Sequence, residues 1–321
     1  MMWSTIQKKS LRFYCFEPVG KQVVLTVFLL GLLLLAGCAG MAGGVLKRLT
    51  VSPRLTPIPA VTAGFFHTCA LWADGTVSCW GNNEFSQLGD GTAQNAAKPV
   101  SVHGLPPAAA VSTGDVHTCA LLLNGAVQCW GNNESGQLGN ATTVSAATPV
   151  SVTGITAAIA ISAGNFHTCA LLIDKTVRCW GLNSSGQVGD GTTTDAITPV
   201  IVRGITTATA ISAGETHTCA LLKDGDIQCW GGADPNALAD EATVDVIMPF
   251  FVNGITTATA LSTGEAHTCA LLRGGVIRCW GDNESGQLGD GTTTDSIQPV
   301  FVNGITTATA IAAGGSSFSD L

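Results

Sequence analysis

Side chains that can ligate metal or cross-link covalently recur at fixed places in this 321-residue chain, one His and two Cys in every 50 residues of its body. His-Thr-Cys-Ala-Leu begins at His67, His117, His167, His217 and His267; Cys-Trp-Gly begins at Cys79, Cys129, Cys179, Cys229 and Cys279. If Ala73-Asp74-Gly75 is a hairpin loop, Leu71 faces Val77 and Cys69 faces Cys79, within the span of a disulfide. The same register pairs Cys119 with Cys129, Cys169 with Cys179, Cys219 with Cys229, and Cys269 with Cys279. Strand side chains alternate, so His67 shares the face of both cysteines, and such a trio also suits zinc. A disulfide is the expectation, because a cross-strand pair needs no fourth ligand. Packed free thiols and zinc stay open beside it. The His is then structural, hydrogen-bonded within its own unit.

No catalytic constellation accompanies these residues. No Ser, His and acid recur together beyond the structural His, and no Gly-rich phosphate loop opens a helix. Two residues before the His stand Phe65, Asp115, Asn165, Glu215 and Glu265. That variation reads as a tolerant surface loop rather than paired catalytic carboxylates. Asp90-Gly91-Thr92 and its counterparts at 190 and 290, with Asn140, read as turns; they lack the alternating carboxylates of a calcium loop. No metal or other cofactor is expected.

The elements that must position these residues are short strands. In the third unit the pattern predicts strands over 158–164, 167–173, 176–180 and 199–203. Asp74-Gly75, Asn124-Gly125, Asp224-Gly225 and Gly274-Gly275 mark the hairpins. The Trp after each second Cys, from Trp80 to Trp280, falls on the opposite face and is expected to pack between units. The fold class is all-β, a β-propeller of four-stranded blades, with five full 50-residue repeats and a partial sixth from Ile305. A closed five-bladed ring, sealed by Leu49 to Leu55 or by the C-terminal stub, and an incomplete, open arc both fit that count.

Ile-Ser-Ala-Gly, His-Thr-Cys-Ala-Leu and Cys-Trp-Gly, followed by Gly-Gln-Leu-Gly-Asp-Gly-Thr at 286–292, resemble the regulator of chromosome condensation repeat family over about residues 51–321. The resemblance implies a propeller, usually of seven blades, so five units are a departure. Relatives that exchange nucleotide on a small GTPase or touch chromatin are poor guides to an acidic chain with no insertion between its units. Secreted bacterial relatives that inhibit β-lactamases imply that the fold can clamp a protein with its loop face.

The N-terminus reads as an address. Lys8, Lys9, Arg12 and Lys21 precede an apolar run from Val23 to Leu35, too short for a bilayer span and suited to a signal peptide. Leu35-Ala36-Gly37-Cys38 then resembles a bacterial lipobox, which makes Cys38 the lipid attachment site. The expected domains are a signal peptide at 1–37, a tether at 38–50 and the repeats at 51–321. Removing the leader takes four bases and one acid from a chain of net charge −8, leaving −11. That sign argues against nucleic acid as a partner.

In a repeat scaffold the exceptions are the better candidates for recognition. The first unit carries Phe65, Phe66, Trp72 and Phe85 where others are mostly polar or aliphatic, and the fourth replaces its Gly-Gln-Leu-Gly segment with 233–241. Phe65, Phe66, Trp72 and Phe85 are the expected partner-binding residues. The first expectation is a non-enzymatic binding scaffold, anchored in the bacterial envelope by its lipid, that engages a protein or envelope polymer. The alternative is a polysaccharide-active hydrolase or lyase using the channel, for which converging carboxylates there would be the sign.

Overall fold

In a computed structural model each 50-residue unit forms a four-stranded antiparallel sheet with its strands in sequence order, the blade of a β-propeller. The structure describes residues 55–232 and 246–314, with the strand backbones of Leu11–Phe16 and Gln22–Val27. Those two strands pair antiparallel within a unit, Met1–Leu49, separate from Thr50–Leu321. Cys38, the tether, the 233–241 departure and Ser316 to Ser319 lie outside the described residues.

Blade 3 shows how the sequence makes the sheet. Its strands are Ala158–Ala163, His167–Leu172, Val177–Gly181 and Ala196–Ile201. The central hairpin has the expected register, Leu171 opposite Val177 and Cys169 opposite Cys179. The fourth strand differs from the expected 199–203. It starts at Ala196 because the ladder slips between Cys179 and Gly181, pairing Cys179 with Val200 but Gly181 with Ala196. Pro199, which has no N–H to donate, falls in that bulge on the outermost strand. The third residue of the hairpin loop has positive φ in every blade, +86° at Gly75 for instance, and in blade 3 Lys175 takes this conformation at +69°.

Between blades, the paired cysteines and His face one way and Thr and Trp the other. Trp130, Trp180, Trp230 and Trp280 are fully buried. Trp130 donates its indole N–H to the Gln87 carbonyl of the preceding blade, and Trp180 and Trp230 repeat the bond to Gln137 and Gln187, each at 2.9 Å. A Cβ on Gly89 would lie 2.6 Å from the Trp130 indole nitrogen, so glycine there is what admits the ring. Trp80, in the first blade, is partly exposed and has no such bond among the described residues.

Candidate functional site

The first strands of the blades converge on a central channel. Residues 63–65 of blade 1 and their counterparts at 113–115, 163–165, 213–214 and 263–265 line one cavity of about 400 Å³, with Ala313 and Gly314. A Cβ on Gly114 would strike both the Gly164 carbonyl and the His117 ring, so only glycine lets the blades approach this closely.

Four of the five repeat histidines close the contact to the next blade. His67 Nε2 meets Thr118 Oγ1 at 2.8 Å, and His117, His167 and His217 meet Thr168, Thr218 and Thr268 at 2.8–2.9 Å. The expected hydrogen bond within the unit is therefore a bond between units. The reason is geometric, because the His face of one sheet packs on the Thr face of the next. The paired cysteines lie opposite one another, Cα–Cα 4.1 Å, and are bridged in all five blades. With His67, His117, His167 and His217 bonded to Thr and the sulfurs joined, the trio presents no zinc ligand set; no metal-holding cluster occurs among the described residues.

Three of the expected partner-binding aromatics come together. Phe65 and Phe66 precede the second strand of blade 1, and Phe85 lies in the loop after its third strand, at the same end of the sheet. With Phe166 and Leu182 of blade 3 they line a groove of about 560 Å³. The rings of Phe65 and Phe66 meet edge to face, centroids 4.1 Å apart. Phe66 remains 62% exposed, although the loops around it are held firmly. Asn83 donates to the Thr92 and Gln94 carbonyls and accepts from Leu88 N, and the Phe85 N–H bonds to Gln87 Oε1 at 3.0 Å. Trp72 is not part of this groove. It follows Leu71 at the opposite end of the strand, where its indole donates to Ser78.

The carboxylates read as a tolerant surface loop are gathered instead. Asp115 and Glu265 line the channel, and Asp115 also lines the aromatic groove. Burial, then the Glu265 charge, pushes Asp115 up to about 6. Burial raises Glu215 to about 7, with Glu265 and Asp115 adding to the effect. The signal that could have found them was the period itself. Residues 50 apart recur at one height in every blade, so positions beside the first strand must meet at the axis.

One end of the blades is acidic, and the other carries charges of both signs. The described loops around the groove and channel mouth carry Glu84, Asp115, Glu134, Glu215, Glu265, Asp282 and Glu284 and no Lys or Arg. At the other end Lys175, Lys223 and Arg273 follow the second strands, mixed with Asp74, Asp174, Asp224 and Asp226.

An RCC1-like domain matches residues 43–319. The chain belongs to the RCC1-like domain family. Among solved structures, human WBSCR16 is 21% identical, with 79% of this chain and 69% of that chain covered and a TM-score of 0.72. Yeast RCC1 (Prp20), crystallised with Kap60, is 23% identical, with 74% and 59% covered and a TM-score of 0.67. A second structure, of Prp20p from Saccharomyces cerevisiae, a protein with binding properties to Gsp1p and histones, is 24% identical, with 78% and 65% covered and a TM-score of 0.67. This chain thus spans less than two thirds of either yeast chain. No curated protein matches it.

Proposed function

We propose that this RCC1-like propeller is a non-enzymatic binding scaffold of the bacterial envelope, holding its partner on the loop face that carries Phe65, Phe66 and Phe85. The observation that carries this reading is the groove, where large apolar side chains stay exposed on loops held by hydrogen bonds. Rigid exposed aromatics are what hot spots are made from. That yeast Prp20 was crystallised with Kap60 supports a protein as the class of partner. An envelope polymer is the other partner considered. In this reading residues 1–37 direct export, Cys38 carries the lipid and 38–50 form the spacer. Cys38→Ala should then move the protein from the membrane to the soluble fraction, and unchanged fractionation rejects the anchor.

Affinity capture with the full-length chain from its own envelope fraction tests the scaffold. A partner retained by wild type and lost with Phe66→Ser and Phe85→Ser together, at unchanged melting temperature, is expected. Retention by that variant moves recognition elsewhere.

The channel carboxylates favour a second reading, a polysaccharide-active hydrolase or lyase, since a carboxyl raised toward neutrality, as Glu215 is, can serve as a general acid. Release of reducing ends from envelope polysaccharide, abolished by Glu215→Gln, would establish it in place of the scaffold.

A further inference from the structure

Resting on the scaffold reading, we infer that the groove takes a polypeptide segment that presents an apolar side chain beside a Lys or Arg. The apolar side chain enters between Phe66, Phe85 and Phe166, and the cation meets Asp115 at the channel mouth. The first half follows from the groove, about 560 Å³ with an aromatic floor, on which a polar side chain would lose its own hydration with no hydrogen bond from the rings to replace it. The second follows from Asp115, which lines both groove and channel and so places a carboxylate within one segment's reach of the aromatic floor.

Glu84 and Glu134 border the same groove, and no base lies in the described loops around it. An anionic partner would be repelled by every charge it met. A cation instead relieves the repulsion that the Glu265 charge exerts on Asp115 and that Glu265 and Asp115 exert on Glu215. A single positively charged side chain therefore gains from several carboxylates, while the aromatic floor selects what stands next to it. Opposite charges at the rim also speed encounter and exclude wrong partners.

The probe is a fluorescent twelve-residue peptide alternating Leu or Phe with Lys or Arg, titrated by anisotropy into the full-length chain. Two control peptides replace its bases by Glu or its apolar residues by Ser. The parent peptide should bind at least about tenfold more tightly than either control, the scale of a lost anchor. Phe66→Ser should weaken it by about tenfold, and Asp115→Asn should weaken it less while flattening its dependence on salt. Both variants should keep the wild-type melting curve. Equal binding of the Glu peptide overturns the inference, and so does full competition by spermidine, which would mean that a bare cation suffices. If the parent peptide does not bind while an envelope protein is still captured through Phe66, this partner chemistry falls and the scaffold stands. If no partner is captured at all, the scaffold reading falls instead.

Discussion

A threonine proton decides the state of three of the buried histidines. Thr118 has one hydroxyl hydrogen and donates it to the Gln87 carbonyl at 2.9 Å, so it must accept from His67 Nε2–H. Thr168 and Thr218 act likewise on Gln137 and Gln187, which assigns the Nε2–H tautomer to His117 and His167 as well. The Nδ1 atoms of all three have no hydrogen-bond partner, and only at His117 does a backbone group, that of Asn165, favour the protonated ring against its burial. Burial accordingly lowers His67 to about 4 and both His117 and His167 to about 3. Unfolded histidines take up protons near pH 6.5, whereas these folded ones do so only near pH 3–4. Stability is therefore full above pH 6.5 and is lost on acidification, by about 1.4 kcal/mol per pH unit for each fully buried His. Asp115 and Glu215, raised rather than lowered, act in the opposite sense, but they are fewer and less buried. Urea midpoints at pH 7 and pH 5 should show a net loss at pH 5; a flat profile would contradict the burial of these rings in the neutral form.

At the scale of the element, the central hairpin was legible and so was the presence of a fourth strand, but not where that strand begins. Asp74-Gly75 and the constant Cys spacing specify a register, because a slip of one residue would turn every apolar side chain outward. The bulge at Pro199 depends on how the outer strand is bent over the blade, and no local pattern encodes that. Two expectations belong here. Replacing Cys169 and Cys179 together by Ala should cost about 2–3 kcal/mol, the entropy of a short closed loop, and non-reducing peptide mapping should find the five neighbouring pairs joined. Lys175 occupies a left-handed position that is glycine in the other blades. Lys175→Gly should therefore raise stability by roughly 0.5–1 kcal/mol in chemical denaturation, the steric relief exceeding the entropy that glycine adds.

Across the whole repeat body, stability resides in blade-to-blade contacts. Trp180 is fully buried and donates to Gln137, while Trp80 is partly exposed and bonds no carbonyl among the described residues. Trp180→Ala should cost about 3–5 kcal/mol and Trp80→Ala well under half of that in the same denaturation assay. Similar losses would mean that Trp80 is also packed against another blade. By itself the sequence determined the repeat, the all-β blade, the hairpin register and the apposition of the cysteines. Each rests on separations of a few residues or on an identity repeated every 50. Tertiary structure decided what meets across the period. It joined His of one blade to Thr of the next, gathered Phe65, Phe66 and Phe85 with Phe166 while leaving Trp72 at the far end, and brought Asp115 and Glu265 to one channel. Those contacts depend on how sheets stack and rotate about an axis, and residues scattered through different units acquire a common environment only once that stacking is made.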